Sequence, residues 1–326
     1  MDKHTCFSLW DAPSASDVPY TCCSAAVLRG GTVRYISGKE SVTTQMRFPL
    51  GALSECLLAA ALLRMSEAGR LSVYDPVRRY LAEYPFDDCT VLDLLLHTTG
   101  CLPCFSVPLL QTDDVPQEND YDLSSMAAVL KRGGSGAPVP CAYDLTFLTV
   151  LMERAGGYPI GTLLHTLVFA PLGMNGCTVS ADDLSDGTFV MPYDRETDTR
   201  MKVVPGAASG GIFAPAEDLV RFLSAILDAE AGRPSPLTLR EADFLLRDTG
   251  AGRSPGFLCA SPSSGVFPDF VSPRCRGAVS GGCFLFLDPG YDTALLFLSD
   301  GASLSGRYGG IRSQASYLWS TENPEL

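Results

Sequence analysis

Strand-like segments stand at both ends of this chain, and helix-like segments fill its middle. That order is expected when the two ends build one antiparallel sheet and the middle forms a helical domain. Near the start, Cys23-Ser-Ala-Ala-Val-Leu and Thr32-Val-Arg-Tyr-Ile read as strands joined by Arg29-Gly-Gly, a hairpin signal. Near the end, Cys283-Phe-Leu-Phe-Leu and Thr293-Ala-Leu-Leu-Phe-Leu flank the turn Asp288-Pro-Gly-Tyr-Asp.

The apolar spacing between them predicts a helix from about 51 to 68, stopped by Gly69 in the manner of a C′ glycine. A short helix ends near Tyr84-Pro85. Another runs from 91 to 97, capped by Thr90 with Asp93 three residues on, and closes at Thr99-Gly100. Further helices are expected near 124–131, 144–155, 160–169, 218–229 and 308–320, and residues 103–140 are loop-rich. The fold class is α/β (α+β), an antiparallel sheet from both chain ends flanked by helices, plus an all-helical domain. The sheet part takes approximately 1–70 and 200–326, the helical part approximately 71–199, within one unit of 1–326.

A chain of 326 residues, 46% hydrophobic and 19% charged, is globular and long enough for a large core. The net charge of −13 argues against a nucleic-acid partner, which wants a basic patch. The only basic doublets are Arg78-Arg79 and Lys131-Arg132. Residues 1–19 carry Asp2, Lys3, His4, Asp11 and Asp17 and no apolar run of the signal-peptide kind. The longest apolar helical run, 56–63, is too short for a membrane span. The expectation is a cytoplasmic protein, or a chain without its leader. The twelve cysteines form no paired metal-ligand set. Cys101-Leu-Pro-Cys104 is a lone Cys-x-x-Cys with His97 as the nearby imidazole. The cysteines read as small apolar residues in a reducing compartment. No metal and no cofactor are expected.

Four segments, in order along the chain, carry a resemblance to one protein family. Glu67-Ala-Gly-Arg-Leu-Ser-Val-Tyr-Asp-Pro-Val-Arg-Arg-Tyr-Leu resembles the family's EGKLSLDDPVSKYLP segment. Thr90-Val-Leu-Asp-Leu-Leu-Leu-His-Thr-Thr-Gly resembles TIRHLLTHTSG. Phe169-Ala-Pro-Leu-Gly-Met resembles FEPLGM, and Ala208-Ser-Gly-Gly-Ile-Phe-Ala-Pro-Ala-Glu-Asp-Leu resembles AGGLVSTAEDL. Together they resemble the class C β-lactamase / penicillin-binding-protein family of serine hydrolases, to which D-alanyl-D-alanine carboxypeptidases and esterases also belong, and the likeness runs from about 22 to 300. It implies a β-lactamase/transpeptidase-like fold with an active-site groove between the sheet part and the helical part.

The same register locates the chemistry. The family's Phe-x-x-Gly lead-in is met by Phe48 and Gly51, and its Ala-rich helix by Ala59, Ala60 and Ala61. Its Ser-x-x-Lys pair, one helical turn apart on one face, falls on Ala52 and Glu55. Alanine has no lone pair to attack with, and a base without a nucleophile acylates nothing. Glu55 also reads simply as an acid favoured by the helix dipole. Ser54 lies about 200° around the helix from Ala52 and points away. Cys56 sits deeper and reads as a buried filler.

The family's Tyr-x-Asn resembles Tyr143-Asp-Leu145, which keeps the tyrosine and loses the amide. Tyr143 reads as an aromatic capping the groove. The Lys/His-Ser/Thr-Gly motif resembles Val279-Ser280-Gly281, without the cation that contributes to binding a carboxylate. Backbone N–H groups at Ala52 and near Gly282 remain able to form an oxyanion-type pair. His97 reads as a structural histidine, and His165 as exposed or capping. These losses point to a pseudoenzyme whose groove, around Ala52, Glu55, Tyr143, Ser280, Gly281 and Gly282, binds a small molecule or peptide. Two alternatives stand beside it: an active hydrolase with a rearranged set using Cys56, Tyr143 or Glu55, and a partner-binding protein whose groove its own side chains fill.

Overall fold

The computed structural model describes residues 22–37, 43–102, 123–133, 139–179, 188–194, 199–200, 211–261, 266–268 and 271–301, with 312, 315, 316 and 318. The chain opens with β1 (Cys23–Arg29) and β2 (Thr32–Ser37). Gly30 and Gly31, both at positive φ, make their tight turn at no steric cost. After β3 (Arg47–Pro49) and a 3-10 turn, Gly51–Ser54, comes α1 (Glu55–Glu67). It stops where expected, with Gly69 left-handed at φ 69°.

Helices then dominate: α2 (Val91–Leu96), α3 (Leu123–Val129), α4 (Ala142–Gly156) and α5 (Ile160–Leu164), which runs into a π-helical segment, His165–Phe169. Short pairs follow, β4 (Tyr193–Asp194) with β5 (Thr199–Arg200), and β6 (Phe213–Pro215) with β3. Helices α6 (Ala216–Glu230) and α7 (Leu239–Leu246) lead to the closing strands. These are β7 (Arg253–Ser254), β8 (Phe257–Cys259), β9 (Arg276–Ser280), β10 (Cys283–Asp288) and β11 (Thr293–Ser299).

The main sheet has the order β2-β1-β11-β10-β9-β8-β7, and its pairs are antiparallel. The chain start joins the chain end where β1 pairs with β11, Cys23 opposite Ser299. Side chains alternate across the sheet, as a period of two demands. Ala26, Leu28, Leu285, Leu296 and Leu298 face the large core shared with α1, α4 and α6. Ala25, Val27, Phe284, Phe286 and Phe297 face a second cluster on the other side.

Two expectations need correction. The helix expected over 91–97 ends at Leu96, because His97 adopts the left-handed conformation at φ 56° and caps it. The helix expected to end near Tyr84-Pro85 is a single 3-10 turn, Val77–Arg79. Pro76 starts it, and Tyr84 is instead a buried anchor packed edge-on against Phe147 and Phe86. Helix α7 and the β7–β8 hairpin were not foreseen. The helix expected over 308–320 lies largely outside the described residues. Among the described residues no helix is long and apolar enough to cross a membrane.

Candidate functional site

The two-stranded β3–β6 pair delivers the chain to the start of α1. Leu50 N–H donates to the Ile212 carbonyl at 2.9 Å, and Gly51 then turns at φ 53°. Gly51 has no room for a side chain, since a Cβ there would stand 2.0 Å from Ser280 Oγ. The end of β9 therefore abuts the segment that opens α1, which brings Ala52 and Ser280 into one neighbourhood. Ala52, Val279 and Ser280 are half-buried, and Gly281 is exposed. Gly281 and Gly282 form the tight turn to β10, where Ser280 pairs with Cys283. Gly282 packs on Ser299, whose hydroxyl donates to its carbonyl at 2.7 Å.

Tyr143 and Leu145 lie in the first turn of α4, 4% and 7% exposed, and both belong to the large apolar core. An alkyl group at 145 suits that environment, where an amide would need partners.

Glu55 is more than a dipole-favoured acid. Its Oε2 accepts from Arg253 Nη2 at 2.5 Å, and its Oε1 stands 3.5 Å from His97 Nε2. His97 Nδ1 lies 3.1 Å from Asp144 Oδ2, and Thr99 Oγ1 donates to Asp144 Oδ1 at 3.1 Å. The result is a buried row of alternating charge: Arg253, Glu55, His97, Asp144. Burial opposes charging His97, but Asp144 and Glu55 outweigh it and push the imidazole up to about 9. Burial likewise opposes charging Glu55, and His97 with Arg253 hold its carboxyl below the ordinary value. Asp144 is fully buried, which pushes its carboxyl up against the pull of His97 and Thr99. The left-handed backbone at His97, unusual for a residue with a side chain, aims the ring between the two acids.

The neighbours that could have replaced a nucleophile are occupied. Ser54 is fully buried and donates to the Gly51 carbonyl. Cys56 is fully buried, its Sγ 3.0 Å from the Leu53 carbonyl; burial and the Glu55 charge push its thiol far up. His165 is exposed. Cys101 is buried, while Cys104 lies outside the described residues. Among the described residues no group of His, Cys, Asp or Glu could hold a metal ion. The ten described cysteines are free thiols, and eight of them are buried.

Arg253 and Asp144 were not singled out from the sequence. Asp144 offered a faint signal, as an acid beside Tyr143 on a helix with an otherwise apolar first turn. Arg253 offered none, being 198 positions from Glu55.

An antiparallel sheet closed by both chain ends, a helical insertion, and a helix start set against a strand end define the β-lactamase type of fold. Solved structures agree. EstCE1, a hydrolase with promiscuous acyltransferase activity, superposes with a TM-score of 0.73 at 17% identity, covering 92% of this chain and 94% of its own. A class C β-lactamase from Rhodobacter sphaeroides gives 0.70 at 18% identity, covering 94% and 95%. The chain belongs to the Beta-lactamase family, whose family model matches residues 18–314. Among curated relatives, Esterase EstB of Burkholderia gladioli is 27% identical over 315 residues, 78% of this chain and 77% of its own length. Penicillin-binding protein 4* of Bacillus subtilis (strain 168) is 26% identical over 211 residues, 58% of this chain. The match spans 46% of that relative's length.

Proposed function

We propose that this Beta-lactamase family member is a pseudoenzyme that keeps the groove and has left the acyl-transfer chemistry. The observation that carries the reading is the pair at the start of α1. Position 52 is an alanine, and position 55 is a carboxylate tied to Arg253 and His97. Acyl transfer needs an activated nucleophile with a base in reach, and neither Ser54 nor Cys56 is placed or ionised to serve. Leu145 and Val279 extend the loss to the other two motifs. The groove near Ala52, Glu55, Tyr143, Ser280, Gly281 and Gly282 is then a binding site for a small molecule or peptide. Backbone N–H groups at Ala52 and near Gly282 are the donors for a ligand carbonyl, since such donors do not depend on side-chain identity. The expected result is no covalent labelling by a fluorescent penicillin and no nitrocefin turnover. Labelling that survives denaturation overturns the reading.

The likeness to Esterase EstB favours a second reading, an ester hydrolase with a rearranged nucleophile set. It requires a p-nitrophenyl ester to be hydrolysed, with the rate falling in Tyr143→Phe.

A further inference from the structure

Arg253, Glu55, His97 and Asp144 come from four elements, β7, α1, the end of α2 and the first turn of α4. Each is at most 8% exposed, so each charge has to be answered inside the protein. Glu55 stands one helical turn beyond Ala52, on the same face of the helix start. Its main partner comes from the far edge strand of the main sheet.

A second contact, independent of charge, joins the same two elements. Gly256 turns the β7–β8 hairpin at φ 82°. A Cβ there would come within 2.5 Å of Cys56 Cα and 2.9 Å of the Glu55 carbonyl. The hairpin backbone thus lies directly on the helix start while its arginine reaches the glutamate. Arg253 Nε and Ser254 Oγ, both buried, have no hydrogen-bond partner. The guanidinium is therefore held chiefly by Glu55, since Nη2 makes the bond.

We infer that Glu55 and Arg253 form one unit, an internal lock that pins the β7–β8 hairpin to the start of α1 and fills the space one turn behind Ala52. The two residues stand or fall together. A lysine at 55 would crowd a third cation beside Arg253 and His97, with Asp144 as the only acid of the row left to answer them. The lock takes its meaning at the groove from the reading above. Its test reads stability and not acylation, so failure of the lock and failure of the pseudoenzyme reading are distinguishable.

The test is a charge-swap cycle on the full chain, comparing the wild type with Glu55→Lys, Arg253→Glu and the combined swap. Each single variant should lower the melting temperature by roughly 5–10 °C, as breaking a buried pair does in a domain of this size. The swap should regain at least half of the summed loss. Amide hydrogen exchange over residues 253–259 should quicken in the singles and slow again in the swap. Additive losses, or singles that melt like the wild type, overturn the lock. If either charge-reversed single fails to fold, Glu55→Gln and Arg253→Gln replace them. A double variant losing less than the sum of its singles then supports the lock, and strict additivity overturns it.

Discussion

His97 Nδ1 lies 3.1 Å from Asp144 Oδ2, with the histidine 2% exposed and the aspartate fully buried. Burial opposes charging the ring, but Asp144 and Glu55 outweigh it and push its pKa up to about 9 from 6.5. A raised folded-state pKa gives stability that is whole below the unfolded value. That stability is lost as the pH rises through the folded value. The window is therefore about pH 6.5 to 9, and the loss is on the order of 3 kcal/mol. The melting temperature should fall across that window, and His97→Gln should flatten the fall. Buried thiols remote from the row, such as Cys283, also pushed up, add an alkaline loss of their own that is common to both proteins. The wild-type-minus-variant difference over roughly pH 6–10 isolates the histidine. A difference that does not change with pH would remove it from the charge row.

Gly51 is fixed by two constraints at once, a left-handed φ of 53° and the Ser280 hydroxyl 2.0 Å from where a Cβ would sit. Gly51→Ala should cost about 1–3 kcal/mol, the strain of a left-handed alanine plus the displacement of Ser280. Ser280→Gly takes away both the hydroxyl and the Cβ that a side chain at 51 would meet, so Gly51→Ala/Ser280→Gly should recover the steric part while the backbone strain stays. Denaturant unfolding of the two variants checks this. Equal stability of both would mean that β9 does not press on the helix start.

Cys56 tests the rearranged-enzyme alternative directly. A thiol buried beside a carboxylate resists ionisation, and the thiolate is the reactive form. Native protein treated with iodoacetamide near neutral pH should leave Cys56 unmodified, whereas denatured protein should be modified there. Peptide mass mapping reads the outcome. Stoichiometric native labelling at Cys56 would return it to the candidate nucleophiles.

Much of the fold was legible because its signals are local. Gly30-Gly31 announced the first hairpin, and Thr90 with Asp93 makes the capping box that the sequence suggested. Thr238 with Glu241 carries the same signature and starts α7, a signal that was present and overlooked. Strands of two or three residues, such as β7 and β8, are too short to show a period, so the hairpin that carries Arg253 had no sequence trace. The same limit applied at the site. Flanking motifs located Ala52, Glu55 and Ser280, but no local pattern marks an ion pair that closes only when the chain folds. Glu55 consequently read as a helix-dipole residue and His97 as an isolated structural imidazole. The structure puts both in one row of charge.

That row decides what reversion can achieve. Ala52→Ser with Glu55→Lys restores the family's nucleophile pair in name, yet sets an ammonium at position 55 against the Arg253 guanidinium and the His97 imidazolium. A cation placed in that buried site is disfavoured, because burial and like charge both penalise it. The double variant should therefore melt well below the wild type and stay unlabelled by a fluorescent penicillin. Adding Arg253→Gln removes one of the two opposing cations and should recover stability relative to the double variant. It leaves Leu145 and Val279 in place, so any labelling that appears stays slow. Thermal melts of the double and triple variants, followed by labelling and denaturing electrophoresis, give both readings. A double variant as stable as the wild type would mean that the charge at 55 is not balanced by Arg253.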